Sequence, residues 1–158
     1  MVYTFTAEAL NRVRKKITTE IKNQLDAKNL NATRRLRNSV SGTVFASSKS
    51  ISLNIYAAEY FDSVDKGTKS GKRPPYSKIA EWAYAKGLQP MNKQNSKVRM
   101  IKSIQDAIAT RGTIKRFGYK GANILDYVDQ KYKDEITEDI KQGYLKDLES
   151  QINIDGNS

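Results

Sequence analysis

The stretch Tyr56-Ala-Ala-Glu-Tyr60-Phe61-Asp-Ser-Val64-Asp65-Lys66-Gly67-Thr-Lys69-Ser-Gly71-Lys72-Arg73-Pro74-Pro75-Tyr-Ser77-Lys-Ile79-Ala-Glu-Trp82-Ala-Tyr-Ala-Lys86, followed by Gly87, decides how the chain is organised. The end of an apolar strand passes into a basic Gly/Pro loop, then into a short helix carrying the only Trp. Strand patterns precede it and helical patterns follow. Binding residues often sit on loops held between rigid elements.

Upstream, Ile51, Leu53 and Ile55 alternate with Ser52 and Asn54, so this strand buries one face. Val40, Gly42, Val44 and Phe45 predict a first strand, with Ala46 to Lys49 as the hairpin loop. Glu59 to Val64 fits a third strand or a short helix, with an extended or irregular segment favoured. So small a β region needs a helix over its apolar face. Residues 7–25 supply one, with Thr6 as predicted cap and Leu10, Val13, Ile17, Ile21 and Leu25 as the stripe. Asn29 and Asn31 end it. Arg12, Arg14, Lys15, Lys16 and Lys22 lie mostly off the stripe; packing on a sheet is favoured over a nucleic-acid face.

Downstream, Pro74-Pro75 predicts an extended approach, Ser77 a cap, and Gly87 the stop of a helix through Lys86. Ile79, Trp82 and Ala83 form its expected inner face. Trp82 could stack on a base, but its spacing from Ile79 favours the core. A further helix is expected from Ser96 to Arg111, striped by Val98, Ile101, Ile104, Ala107 and Ile108 and ended by Gly112. Thr113 to Gly121 reads as a basic, aromatic loop. The last helix, from about Asn123 to Ile152, carries Leu125, Val128, Tyr132, Ile136, Ile140, Tyr144, Leu145 and Leu148. Gly143 weakens it by roughly 1 kcal/mol relative to Ala. At some 40 Å by its rise per residue, this helix either projects onto a neighbour or pairs with residues 7–25. The division is a body over 1–122 and an acidic helix and tail over 123–158, within a single domain.

The net charge of +11 is uneven. Residues 1–50 hold 10 Lys/Arg against 3 Asp/Glu, 51–120 hold 14 against 5, and 121–158 hold 4 against 9. A basic body suits nucleic acid or an acidic partner; an acidic segment docked on a basic neighbour explains the pattern equally. There is no Cys and no His, which excludes disulfides, thiol nucleophiles, Cys/His zinc sites and His-based triads. Glu135, Glu138 and Asp139 lie on one helix face, without convergent ligands from other elements, so neither a catalytic nor a metal site is expected. The loop Asp65–Pro75 is not a P-loop: three residues separate Gly67 from Gly71, and Arg73 follows Lys72. No cofactor is expected. No apolar run approaches the roughly 20 residues that span a membrane, and no secretory signal is expected.

Four pieces together resemble the tail-completion, or head–tail connector (neck), family of minor virion proteins from tailed bacteriophages. They are Leu36 and Ser39; then Tyr56, Ala57, Tyr60, Val64, Gly67 and Thr68; then Pro74 and Pro75; then Ile79, Trp82, Lys86 and Gly87. The likeness covers roughly Thr33 to Val128. It implies an α+β protomer, a small antiparallel sheet covered by an N-terminal helix and later helices, with a long C-terminal helix. It also implies a non-enzymatic structural protein of the virion, made in the host cytoplasm and assembled as a homo-oligomeric ring. Its partners would be the portal or head-side connector, tail proteins and the packaged DNA. On that reading Lys66, Lys69, Lys72 and Arg73 face the DNA channel or a partner, Arg116, Phe117 and Tyr119 clasp the next subunit, and Asp134, Glu135, Glu138 and Asp139 form an acidic contact. The alternative is a soluble basic nucleic-acid-binding module; a carboxylate-dependent nuclease is the least expected reading.

Overall fold

Helix α1 spans Thr4–Ala27, an uninterrupted run without Gly or Pro. The computed structural model describes residues 3–92, 96–117 and 120–155, the side chains of 114–117 and 153–155 excepted. Within these, the fold is α+β, with six helices and one two-stranded antiparallel sheet. The chain forms two compact units. The first comprises residues up to Gln24, Asn38–Ala57 and those from Ile124 onward; the second comprises Leu25–Arg37 and Ala58–Asn123.

In the first unit, β1 (Ser41–Ala46) and β2 (Ile51–Tyr56) form the hairpin that the alternation predicts. Its register pairs Gly42 with Ile55, Val44 with Leu53 and Ala46 with Ile51. The turn is Ser47–Ser50, closed by the Ser47 N–H to the Ser50 carbonyl at 2.8 Å. Helix α1 packs on this sheet. Contact is close at Gly42, where an added Cβ would lie 2.9 Å from Arg14 Cγ and from Ile55 Cδ1. Leu10, Val13 and Ile21 of the predicted stripe are buried here.

Helix α6 (Ile124–Asp155) runs antiparallel to α1 in the same unit. Its 32 residues make it about 48 Å long. Ala9 meets Gly143, Lys16 pairs with Glu135, and the Tyr132 hydroxyl donates to Glu20 at 2.9 Å. The Gly143 penalty has a packing reason. A Cβ there would lie 2.8 Å from the Phe5 carbonyl oxygen and 3.1 Å from Ala9 Cβ. The single apolar stripe expected along α6 divides in two. Val128 is buried, and Tyr132, Gly143 and Asp147 contact α1. Tyr144, Leu145 and Ile152 stay exposed.

Thr6 is not the helix cap, because α1 begins two residues earlier. The Thr6 hydroxyl instead donates to the buried Asp147 carboxylate at 2.6 Å. The same carboxylate accepts the N–H groups of Phe5 and Thr6 at 2.8 and 2.9 Å. These first-turn donors have no intrahelical acceptor, so a side chain from α6 caps α1. Burial alone would raise the Asp147 carboxyl; the Thr6 hydroxyl and the Thr6, Phe5 and Thr4 N–H groups outweigh it and hold it below the ordinary aspartate range. Glu20 is lowered too, first by the Gln24 amide, against the effect of burial, and also by Tyr132 and Lys131.

In the second unit, α1 ends with Asn29 at φ 52°. The Asn29 N–H bonds Asp26 and the Leu30 N–H bonds Leu25, a left-handed terminus with two reversed hydrogen bonds. Short α2 (Arg35–Ser39) straddles the division and buries Leu36. Segment 59–64, where an extended or irregular course was favoured over a short helix, leads into a helix, α3 (Phe61–Lys66), which buries Phe61 and Asp65. Its last carbonyls are capped from afar. The Ala122 and Asn123 N–H groups reach Val64 and Asp65 at 3.0 Å.

Helix α4 (Tyr76–Ala85) starts one residue before the expected Ser77 cap, after Pro75, with no side-chain cap. It ends as predicted. Gly87 sits at φ 66°, its N–H bonds Tyr84, and the Leu88 N–H bonds Ala83. Ala80 and Ala83 pack with Ile101 of α5 (Lys97–Phe117), joined by Ile79, Leu88 and Met100. Trp82, expected in the core, is 43% exposed. Two alanines let α4 and α5 approach closely and leave the indole on the flank. Ser96 caps α5, accepting the Arg99 N–H at 3.2 Å. Gly112, at φ 66° and ψ −179°, breaks α5 where the sequence places its end. Helix resumes through Phe117, where a loop was expected.

Candidate functional site

The basic loop is pinned along α5. Thr68 and Thr113 exchange two hydrogen bonds, Thr113 N–H to the Thr68 carbonyl at 2.9 Å and Thr68 N–H to the Thr113 hydroxyl at 2.8 Å. Three residues on, the Gly71 N–H bonds the Ala109 carbonyl at 2.8 Å. Three further, the buried Gln105 amide donates to the Pro74 carbonyl at 2.7 Å. Loop positions 68, 71 and 74 therefore match helix positions 113, 109 and 105, which share one face. The Ala109 carbonyl is available because the break at Gly112 ends its helical ladder.

Gly112 makes this docking possible. Its backbone angle lies in the left-handed region, and a Cβ would lie 2.3 Å from the Thr68 carbonyl oxygen. Any side chain would push the loop away. Gly121 does the same for α3, where a Cβ would lie 2.1 Å from the Asp65 carbonyl oxygen.

Of the four cations predicted on the loop, Lys66 is the last residue of α3, and Lys69, Lys72 and Arg73 lie on the loop itself. Arg73 is tied to Asp106 at 2.7 Å. Lys66, Lys69 and Lys72 are exposed, and among the described residues they have no ion-pair partner. A fixed backbone thus displays three lysines to solvent.

They stand within a larger field. The second unit holds 18 Lys/Arg against 6 Asp/Glu, net +12, whereas the first holds 10 against 11, net −1. Of those six acids, Asp26 pairs with Arg37, Glu81 with Arg35 and Asp106 with Arg73. The Arg37 guanidinium holds the Asp26 carboxyl below its ordinary value against the effect of burial. Lys78 on α4 and Lys86, its C-cap, lie four residues to either side of Trp82. Lys86 donates to the Asn29 carbonyl at 2.9 Å. Tyr84 is exposed, and the Lys97 ammonium sits 5.6 Å from its ring centre.

The acidic residues of α6 are partly used within their own unit. Glu135 pairs with Lys16, whose ammonium is raised by that hydrogen bond. Glu138 contacts Gln142 and Lys141, which lower its carboxyl. Asp139 is half-buried and its charge also acts on Lys16; Asp134 is exposed. Tyr119 and the side chains of Arg116 and Phe117 lie outside the described residues. Sequence reasoning missed Asp147 and Gln105 and read Gly143 only as a weak point of its helix, because their contacts are long-range and carry no local periodicity.

Among the described residues, no three His, Cys, Asp or Glu side chains form a potential metal site, and no helix is long and apolar enough to cross a membrane. No protein-family profile matches the chain, and no curated protein or solved structure matches it.

Proposed function

We propose that this chain is a structural subunit of a tailed-phage virion, one copy in a neck or tail-completion ring that joins the head connector to the tail. The cationic unit faces the DNA passing through, and the pinned lysines Lys66, Lys69 and Lys72 contact its phosphates. The observation that carries the reading is the charge segregation, +12 on one unit and −1 on the other. Phosphate contacts of this kind are independent of sequence and suit a rigid basic loop. The residue pattern between Thr33 and Val128 supplies the phage context. Ring assembly needs two different complementary surfaces; the cationic unit and the remaining acids of α6 are such a pair.

Mass spectrometry and antibody labelling of purified particles test this reading. Presence in the particle with label at the head–tail junction is the expected result. Absence of the chain from intact particles overturns it. The same charge supports a second reading, a free nucleic-acid-binding module. That reading requires binding of duplex DNA by the isolated chain, weakening steeply with salt, together with absence from the particle.

A further inference from the structure

The hairpin differs from the rest of the chain in its chemistry. Asn38 to Ala57 contains one charged residue, Lys49, and no Pro. Strand β2, Ile51-Ser-Leu-Asn-Ile-Tyr56, has no charge, Pro or Gly. Folded proteins guard exposed sheet edges with lysines, prolines, bulges or covering elements. Beyond the hairpin's own ladder, the one hydrogen bond to a strand's backbone among the described residues is Arg14 Nη1 to the Gly42 carbonyl at 3.3 Å, on β1. The sheet order is β1–β2. Among the described residues, the outer edge of β2 therefore receives no backbone hydrogen bond from another element.

The sheet is also incomplete on its faces. Every inward side chain of β2 is only half-buried, while Phe45 and Tyr56 on the outward face are 56% and 48% exposed. Helix α1 packs on the sheet, yet two strands leave one edge of β2 free to add a further strand. We propose that the β2 edge pairs antiparallel with β2 of a second copy of this chain, giving a four-stranded sheet β1–β2–β2–β1.

Charge favours this edge over the cationic units as the place where two copies meet. Contact between two cationic units opposes +12 to +12, whereas the strand edge brings together uncharged segments. Side-chain alternation selects the register. Centring the pair on Leu53 places Ile51 opposite Ile55 of the partner on the inner face and Ser52 opposite Asn54 on the outer face. A shift by one residue would set apolar against polar throughout. The inference goes beyond the virion reading and does not depend on it.

Sedimentation of the full chain, with amide hydrogen exchange across Ile51–Tyr56, tests the pairing. The expected result is a monomer of 17.9 kDa at low concentration and a dimer of twice that mass at higher concentration. The outward amides of β2 should become protected as the dimer forms. The double variant Ser52→Lys/Asn54→Lys sets like charges opposite one another across the new ladder, without touching the inner face. It should raise the dimer dissociation constant about tenfold or more and leave the circular dichroism unchanged. Ser52→Thr/Asn54→Thr, the folding control, should dimerise as the parent does. The proposal is overturned by a parent chain that stays monomeric, by a lysine variant that dimerises equally well, or by an assembly in which these amides still exchange freely. None of these outcomes bears on whether the chain is found in particles.

Discussion

Asp147 gives the sharpest test of the α1–α6 pairing. Its carboxylate accepts three hydrogen bonds from the first turn of α1, two from backbone donors that have no other acceptor. Removing a helix cap costs about 0.5–2 kcal/mol, and stranding buried donors adds about 1–3 kcal/mol. Asp147→Ala should therefore destabilise the protein by about 3 kcal/mol. For a chain of this length that lowers the melting temperature by roughly 6–12 °C. Asp147→Asn keeps one oxygen acceptor but turns an amide N–H toward donors, so its loss should be about half as large. A double-mutant cycle with Thr6→Val should show coupling of about 1 kcal/mol. The pH dependence has a defined sign. Because the folded carboxyl is held below its ordinary value, its stabilisation is complete above the unfolded aspartate pKa of about 3.9. It is lost as pH falls through the lowered folded value. Urea denaturation followed by circular dichroism at several pH values measures both effects. If both variants lie within about 0.5 kcal/mol of the parent, the cap reasoning is wrong.

Gly112→Ala should release the loop, since its Cβ would overlap the Thr68 carbonyl. Faster tryptic cleavage after Lys69 and Lys72 is expected, and an unchanged digestion pattern would count against the docking. Replacing Lys66, Lys69 and Lys72 together by Glu should leave stability within about 0.5 kcal/mol, while lowering the slope of log affinity for DNA against log salt by about 3. An unaltered slope would remove the loop from the interface. Trp82→Ala should cost less than the roughly 3–5 kcal/mol of a buried indole, and iodide should quench Trp82 fluorescence readily. A quencher-resistant indole would restore the core assignment.

Periodicity made the main elements legible. Strict alternation in Ile51–Ile55 located β2, and the three- and four-residue spacing from Leu10 to Leu25 located α1. Asn29, Gly87 and Gly112 end helical runs through backbone angles that a glycine or asparagine signals directly. Failures came where tertiary contacts override local signals. Thr6 has the chemistry of a cap, but its partner lies 141 residues away. Gly143 looks like a helix weakness until the backbone of α1 is found against it. Trp82 shares helical spacing with Ile79, but two alanines form the tighter seam and displace it. In the candidate site, the composition of the basic loop was readable, while its three-against-four match to α5 was not. That match needs the carbonyls of Pro74, Ala109 and Thr68 to be placed in space. The charge segregation was hidden because the second unit is assembled from two separated segments.

The α1–α6 pairing also sets an order of events during synthesis. Thr6 leaves the ribosome 141 residues before Asp147. At about 5–20 residues per second, α1 waits roughly 7–28 s for the helix that caps it. During that interval the hairpin can close locally, but the α1 stripe and the first-turn donors have no α6 to meet. The nascent chain is then most exposed to trapping by chaperones or by other chains, and slowing translation beyond Asn123 should lower soluble yield more than slowing it within the hairpin.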